Sequence, residues 1–340
     1  MVHFQAELIK WYDKHKRDLP WRHTKDPYKI WLSEIILQQT RVAQGLAYYE
    51  KFISTHPNVA SLANASEEEV LSLWKGLGYY SRARNLHKTA RQVQSDFKGK
   101  FPGSYEGLLK LAGVGPYTAA AISSFCYNEP KAVLDGNVFR LLSRLYDIDT
   151  PINTPKGQKE FSELAGAVLN IKEPAKHNQA MMEFGALQCL PQNPQCPNCP
   201  VIFECLSHKN GSVRERPQKI KKIKKKNRYL LYTVFFDLKN KKVYLKKRIE
   251  KDIWLNLYDF HLAEYSSAED FEETIKTKNV YRKKHLLTHQ TLHVAFSLEE
   301  APKSKGKLKS LKAYSMPEAK ALPMPILHEK YLLEHCGFLD

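Results

Sequence analysis

LAGVGPYTAAAI, residues Leu111–Ile122, is the stretch that decides the fold. Gly113 and Gly115 precede Pro116, and a run of small helix-forming residues follows. This order predicts a tight turn that leads into a helix, because glycine adopts left-handed backbone conformations and proline fits the first helical turn. The N–H groups at such a helix start point toward an anion, so the turn is suited to binding a phosphate.

The residues around this turn argue against two common kinds of phosphate-binding site. The stretch lacks the Lys-Ser/Thr pair of a P-loop. YEGLLKL (105–111), which precedes it, has a helical rather than a strand pattern, and this argues against a dinucleotide site. Helix, GVG turn and helix resemble the helix-hairpin-helix unit that grips a DNA backbone phosphate. From these residues alone, an ordinary helix–helix turn is the alternative.

The charge of the chain also indicates a polyanionic partner. Its 340 residues include 53 Lys and Arg against 36 Asp and Glu, a formal charge of +17. No apolar run has the length of a membrane span, and the N-terminal residues lack the apolar core of a signal peptide. We therefore expect a cytoplasmic protein that binds no membrane.

Hydrophobic periodicity and charge composition divide the chain into three parts. Residues 1–208 carry mostly amphipathic helical patterns, including SEEEVLSLWKGL, which opens with the capping pair Ser66 and Glu69. RERPQKIKKIKKKNR then has nine Lys or Arg among fifteen residues, which predicts a basic linker over 209–228. YLLYTVFFDL and KVYLKKR flank a KNK turn, and TLHVAFSLEE alternates, so a separate α+β domain is predicted over 229–340.

Four of the six cysteines lie within 17 residues, spaced C-x6-C-x2-C-x5-C: Cys189, Cys196, Cys199 and Cys205. In an intracellular protein, such a group is expected to bind metal rather than to form disulfides. Only the middle pair has the spacing of a zinc knuckle, which favours a [4Fe–4S] cluster over zinc. The spacing alone leaves a structural zinc open.

Several stretches together resemble the helix-hairpin-helix DNA glycosylases, and most closely the MutY-type adenine glycosylases: LPWR (19–22), PYKIWLSEIILQQTRV (27–42), GLGYYSRARNL (76–86), LAGVGPYTAAAI (111–122), LDGNVFRLLSRL (134–145), NQAMMEFGALQC (178–189) and the cysteine segment. The resemblance is strong over residues 5–208 and weaker beyond. It implies base-excision repair of adenine mispaired with 8-oxoguanine or guanine in double-stranded DNA. It also implies a monomer.

The resemblance further implies a multidomain fold. A mainly α-helical glycosylase region contains a helix-hairpin-helix subdomain at about 25–135. The terminal helices and a [4Fe–4S] loop form a second subdomain, at about 1–24 and 136–208. Residues 229–340 form a Nudix-like domain that recognises 8-oxoguanine. They lack the Glu-rich motif of true Nudix hydrolases, so nucleotide hydrolysis is not expected.

Glycosidic hydrolysis needs an acid for the leaving group and a stabiliser for the positively charged sugar. The resemblance implies that Glu34 protonates adenine N7, that Asp135 stabilises the sugar, and that Tyr117 and Asn137 position them. The apolar neighbours of Glu34 would raise its pKa. Without the family, Glu34 would be taken for an exposed helical glutamate and Asp135 for a helix N-cap.

Tyr117 separates two kinds of glycosylase. The related endonuclease III lyases carry a lysine at the matching position, and its amine attacks the sugar to form a Schiff base. Tyrosine has no amine. The resemblance therefore implies a monofunctional glycosylase that hydrolyses the bond without cutting the strand.

Other residues are assigned to DNA and base recognition. Flipping adenine out of the duplex leaves a gap that must be filled. By resemblance, Gln39 and Tyr79 wedge beside 8-oxoguanine, although core packing is the alternative for Tyr79 and its neighbour Tyr80. The remaining assignments are Arg22 and Gln179 in the adenine pocket, Gly113 and Gly115 at a phosphate, and Leu287, Thr288 and His289 in place of the family's Phe-Ser-His loop.

The sequence argues against one further metal site and two other functions. His285, His289 and His293 have the spacing of a metal-binding helix face, but the adjoining alternation predicts a strand, so no zinc site is expected there. A thymine- or uracil-mismatch glycosylase is disfavoured by Glu34 and the C-terminal domain. A non-catalytic DNA-binding module is disfavoured because Glu34 and Asp135 are both present.

Overall fold

The computed structural model describes residues 2–220, 225–302, 308 and 310–336. Residues 221–224 of the predicted linker, and 303–307, 309 and 337–340 of the predicted C-terminal domain, lie outside the described residues. The chain divides into two compact units. Unit 1 comprises Met1–Asn64 and Asn85–Lys221, and unit 2 comprises Ala65–Arg84 and Lys222–Asp340.

Between residues 2 and 209 the regular structure is helical, as predicted for residues 1–208. The α-helices are α1 (Val2–His15), α2 (Pro27–Leu37), α3 (Val42–Thr55), α4 (Val59–Asn64), α5 (Glu67–Leu73), α6 (Ser81–Asp96), α7 (Tyr105–Leu108), α8 (Pro116–Tyr127), α9 (Gly136–Leu145), α10 (Pro155–Val168), α11 (Pro174–Leu187) and α12 (Leu206–Lys209). Short 3-10 helices occupy Pro20–Arg22, Cys196–Asn198, Ile202–Glu204 and Val213–Glu215. None of the described helices is long and apolar enough to cross a membrane.

Side-chain caps fix where several of the helices begin. Asp26 accepts the Tyr28 N–H at 2.9 Å before α2, and Thr154 accepts the Gly157 N–H at 3.1 Å before α10. Ser66 accepts the Glu69 N–H before α5, which confirms the predicted start of that helix. Each cap satisfies an N–H group that the first helical turn leaves without a partner.

One large apolar cluster of unit 1 packs α1, α9, α10 and α11 together. Its fully buried members include Leu8, Leu142, Phe161 and Phe184. A smaller cluster on α8 contains Ala120 and Ala121, whose small side chains let neighbouring elements approach closely. This packing holds the N-terminal ends of α8 and α9 in fixed positions.

Unit 2 is built on one mixed sheet, so the predicted α+β character of the C-terminal region is confirmed. Its strands are β1 (Lys226–Asp237), β2 (Lys242–Lys247), β3 (Tyr258–Asp259), β4 (His261–Tyr265), β5 (Val280–Leu286), β6 (Gln290–Glu300) and β7 (Lys312–Ser315). The order is β3-β2-β1-β6-β5, with β4 also paired to β1 and β7 to β2. The KNK turn joins β1 to β2 as an antiparallel hairpin, as predicted.

Helices pack against the sheet of unit 2: α13 (Ala268–Lys276), α14 (Met316–Ala321) and α15 (Ile326–His335). One cluster joins Phe271 of α13 to Leu231 of β1. The larger cluster joins Tyr331 of α15 to Tyr232 and Phe296. His285 lies in β5 and His293 in β6, so the histidines are on strands rather than one helix face, as the alternation predicted.

Candidate active site

A cavity of about 690 Å³ in unit 1 collects most of the residues assigned to chemistry. It is lined by segments from α2, the α8 turn, the start of α9, and α11. The predicted residues that line it are Arg22, Glu34, Gln39, Gly113, Gly115, Tyr117, Asp135 and Asn137. Predicted residues as far apart in sequence as Arg22 and Asn137 are therefore brought to one pocket of a size that admits a purine nucleoside.

Glu34 is a buried carboxyl at the wall of this cavity, with 6% of its surface exposed. It lies on α2, whose residues from Ile30 to Ile36 are all buried. Tyr117 donates its hydroxyl to Glu34 Oε2 at 2.5 Å. Burial is the main reason that the pKa of Glu34 rises to about 7; the Tyr117 hydrogen bond opposes the rise, and the nearby Asp135 supports it. Near neutral pH, Glu34 is therefore partly protonated.

The raised pKa of Glu34 also predicts a pH-dependent stability. The protonated carboxyl makes its full contribution to the free energy of unfolding below its unfolded-state pKa of about 4.5. This contribution is lost as the pH rises through 7, because the anion is disfavoured in the buried site. Glu34→Gln should therefore gain stability relative to wild type between pH 5 and pH 8, on the order of 3 kcal/mol. Urea midpoints of wild type and Glu34→Gln at the two pH values measure this gain. A difference in midpoint between the two proteins that is the same at both pH values would contradict the prediction.

Asp135 caps α9 and faces the same cavity. Its Oδ1 accepts the N–H groups of Asn137 at 2.9 Å and Val138 at 2.7 Å, and Oδ2 accepts Asn137 Nδ2 at 2.6 Å. Burial raises the pKa of Asp135, while these hydrogen bonds lower it and orient the carboxylate. Capping and lining the cavity are therefore compatible roles for one side chain.

The glycine turn positions Tyr117 at the start of α8. Gly113 has a φ of +72°, and a Cβ there would lie 2.7 Å from Cβ of Asn85. Both observations require glycine at this position. Gly115 is the N-cap of α8, which begins at Pro116 as predicted. Burial raises the pKa of Tyr117 well above its ordinary value, so its hydroxyl stays protonated and donates to Glu34.

Arg17 and Glu183 line the cavity beside Arg22, and sequence reasoning missed both. Glu183 is 1% exposed and accepts Arg17 Nη2 at 2.6 Å and Arg22 Nη2 at 2.7 Å. Burial would raise the pKa of Glu183, but the hydrogen bonds from Arg17 and Arg22 lower it to about 2. The available signal was an acidic residue in the otherwise apolar stretch AMMEFGAL.

Breaking the arginine clamp formed by Arg17, Arg22 and Glu183 should destabilise the fold. Glu183→Gln removes the negative charge that Arg17 and Arg22 share, and it breaks the ion pair of the largely buried Arg22. We expect a loss of about 3 kcal/mol in the free energy of unfolding, measured by urea denaturation. Glu163→Gln, an exposed position on α10, is the matched control. Equal midpoints for the two variants would contradict this role.

Two predicted residues lie at the margins of this cavity or outside it. Gln179 accepts the Tyr12 hydroxyl at 2.7 Å and is not among the described residues that line the cavity. Gln39 lines the cavity, is exposed, and has a left-handed φ of 56°. That backbone conformation is uncommon for a residue other than glycine.

A second cavity, of about 490 Å³, lies within unit 2 and collects the residues assigned to 8-oxoguanine. Its lining includes Tyr79, Leu287, Thr288 and His289. Tyr79 is 49% exposed, and its hydroxyl lies 2.5 Å from Thr288 Oγ1. Its neighbour Tyr80 is only 7% exposed and donates to the Met324 carbonyl. Core packing therefore describes Tyr80, whereas Tyr79 is available at the surface.

The four clustered cysteines line a third cavity, next to the C-terminal end of α9. Burial raises the pKa of the Cys199 thiol to about 12 and also raises those of Cys196 and Cys205. Within the described ranges, no three His, Cys, Asp or Glu side chains are arranged to hold a single metal ion.

A chain of hydrogen bonds links Asp135, at the wall of the first cavity, to the cysteine segment. Arg140 Nη2 donates to Asn137 Oδ1 at 2.9 Å, and Asn137 in turn donates to Asp135. Arg140 Nε donates to the Cys189 carbonyl at 2.7 Å. Helix α9 therefore carries Asp135 at its start and, one turn later, a buried arginine that contacts the cysteine segment.

Comparisons with known proteins agree with this geometry. Residues 32–166 match the family model of the HhH-GPD superfamily of base excision DNA repair proteins. Adenine DNA glycosylase of Buchnera aphidicola subsp. Baizongia pistaciae is 38% identical over 86% of this chain and 84% of its own length. That of Buchnera aphidicola subsp. Schizaphis graminum is 34% identical over 86% of each chain. The solved structure of a thermostable thymine-DNA glycosylase has 29% identity and a TM-score of 0.57 over 61% of this chain and 95% of its own.

The two sequence relatives extend over most of the chain, including the sheet region, whereas the family model and the structural neighbour match only part of it. The shared activity of those relatives is that of an adenine glycosylase. The chain therefore belongs to the MutY-type adenine DNA glycosylases and is a base-excision repair DNA glycosylase.

Proposed function

We propose that this enzyme hydrolyses the N-glycosidic bond of adenine opposite 8-oxoguanine or guanine in double-stranded DNA, acting as a monomer. Glu34 is the acid, and Asp135 stabilises the sugar. The observation that carries the proposal is that Glu34 and Asp135 line one cavity and that the pKa of Glu34 is raised to about 7. Paired carboxyls with different environments are what glycosidic hydrolysis requires.

Glu34 supplies the proton that the leaving base needs. Adenine is a poor leaving group as an anion, so protonation at N7 must accompany or precede bond breaking. A carboxyl with a pKa of about 7 is partly protonated at neutral pH and becomes a base once it has given up its proton. The same group then activates a water molecule. The Tyr117 hydroxyl holds the carboxyl in place throughout.

Asp135 stabilises the positive charge that develops on the sugar. Its carboxylate is oriented by two backbone N–H groups and by Asn137, so no reorganisation is needed when the charge forms. A fixed negative charge near the sugar lowers the energy of an oxocarbenium-like transition state. Asn137 is thus a positioning residue for Asp135.

The lining of the cavity supports a monofunctional reaction. No lysine is found among its described lining residues, and Tyr117 occupies the position where a lyase would have its amine. Without an amine, no Schiff base forms with the sugar. Borohydride treatment during the reaction should therefore trap no covalent protein–DNA adduct. An adduct in good yield would contradict this part of the proposal.

The clamp of Arg17, Arg22 and Glu183 supports recognition of a flipped base in the same cavity. It provides fixed polar groups beside the indole of Trp21, and a purine pocket typically combines a few such groups with aromatic surface. Gln39, exposed at the wall, is assigned to the gap left in the duplex.

We assign partner-base recognition to the hairpin tip between β5 and β6, in a Nudix-like unit 2. Thr288 pairs its hydroxyl with that of Tyr79, and both face an open cavity. Leu287 packs against the sheet core instead, so an aliphatic side chain can fill this position without the family's aromatic ring.

Thr288→Val should reduce the preference for 8-oxoguanine over guanine about tenfold in single-turnover adenine release. Valine keeps the shape of threonine but leaves the Tyr79 hydroxyl and the lesion without a hydrogen-bond partner, a loss of about 1.4 kcal/mol. Thr288→Ser retains the hydroxyl and is the matched control. An unchanged preference in the valine variant would contradict the assignment.

The cysteine cavity fits an iron–sulfur cluster. All four thiols line it, and Arg144 Nη1 lies 3.3 Å from Cys189 Sγ, which suits an anionic sulfur. The cysteine spacing favours this cluster over zinc, because only Cys196 and Cys199 have the spacing of a zinc knuckle. Cys189, Cys196, Cys199 and Cys205 would hold it. We assign it a structural role in anchoring this segment to α9.

A further inference from the structure

Arg144 is almost fully buried, with 2% of its surface exposed, at the C-terminal end of α9. Its guanidinium contacts both ends of the cysteine segment. Nη1 donates to the Leu190 carbonyl at 2.6 Å and Nη2 to that of Pro191 at 3.2 Å. Nε lies 3.0 Å from the Val213 carbonyl and 3.2 Å from that of Arg216. All three nitrogens therefore have neutral oxygen acceptors.

The charge of Arg144, in contrast, has no counter-ion within the described ranges of the chain. None of the described carboxylates forms an ion pair with it, whereas Arg17, Arg22, Arg228 and Arg248 each have one. Burying a cation without an anion is strongly unfavourable, even when its hydrogen bonds are satisfied. The nearest group that can become an anion is the Cys189 thiol, 3.3 Å from Nη1.

We propose that Arg144 is the internal counter-ion of an anionic metal–thiolate group held by the four cysteines. The inference rests on the proposed metal group but not on the choice of metal. Four thiolates around one Zn²⁺ carry a net negative charge, and so do four thiolates around a [4Fe–4S] core. In this position the guanidinium offsets the negative charge of the buried group, so losing the positive charge should speed release of the metal.

Two substitutions separate the positive charge of Arg144 from its hydrogen bonds to the two ends of the cysteine segment. Arg144→Lys keeps the positive charge but loses the fork that reaches both ends of the segment. Arg144→Gln keeps an amide donor and loses the charge. Lys209→Gln, an exposed position four residues after Cys205, is the control for removing a nearby cation. The measurements are iron, sulfide and zinc per full-length chain after anaerobic purification, and the rate of metal loss to EDTA.

We expect wild type, Lys209→Gln and Arg144→Lys to retain a full complement of metal. Arg144→Gln should lose it about tenfold faster or more, as expected when a buried charge pair is broken. Equal loss from the Lys and Gln variants would overturn the counter-ion role in favour of loop closure alone, and no loss from either would overturn both. If the Gln variant does not fold, rapid loss from the Lys variant overturns the proposal. Wild type without bound metal would instead refute the proposed metal group, and the counter-ion role with it.

Discussion

Glu34→Gln is expected to bind mispaired DNA normally and to release adenine about 10²–10⁴-fold more slowly, because the amide cannot protonate the leaving base. The substitution preserves the size of the side chain and removes only its titration. Glutamine can still accept the Tyr117 hydroxyl bond, so the cavity should keep its shape. Single-turnover release and duplex affinity, measured on the same preparation, separate the two effects.

The pH dependence of wild type provides an internal check on this prediction. An acid whose pKa is about 7 is protonated below that pH, so the single-turnover rate should fall as the pH rises from 7 to 9. Glu163→Gln, on the exposed face of α10, should leave both the rate and the profile unchanged. An active Glu34→Gln variant with a wild-type pH profile would exclude Glu34 as the acid.

Asp135→Asn should reduce the single-turnover rate about 10²–10³-fold, because it removes a fixed negative charge from beside the sugar. Asparagine is also a good N-cap, so its side-chain oxygen can still accept the N–H groups of Asn137 and Val138. The fold should therefore survive the change, and the thermal midpoint should move little.

Asp135→Ala and Asp149→Asn are the controls for this prediction. Alanine removes the cap as well as the charge, so it should add a loss of about 1 kcal/mol in stability to the loss of activity. Asp149 is exposed, and its substitution should change neither. A rate for Asp135→Asn close to that of wild type would show that Asp135 is only a helix cap.

Local features of the structure were predictable from sequence. The turn at Gly113 and the start of α8 follow from residue types with strict backbone preferences. The hairpin from β1 to β2 follows from alternation and a short polar turn. Glu34 could be singled out only through the family resemblance, because by its residue type alone it would be taken for an exposed helical glutamate, whereas the structure buries it.

Features that depend on distant partners were not predictable. Glu183 meets Arg17 across 166 residues, and Arg144 meets Val213 across 69. Periodicity shows which face of a helix is buried, but it does not show what that face contacts. The segment Ala65–Arg84 is a further case: it groups with the sheet through long-range contacts such as Tyr258 to Glu68, which no local pattern encodes.

The most direct test of the central claim is single-turnover adenine release by wild type from duplexes with adenine opposite 8-oxoguanine, guanine, cytosine or thymine, read as alkali-dependent strand breaks. We predict fast release opposite 8-oxoguanine, slower release opposite guanine, little release opposite cytosine or thymine, and no breaks before alkali. Equal release opposite all four bases, or no release opposite 8-oxoguanine with DNA binding intact, would contradict this account.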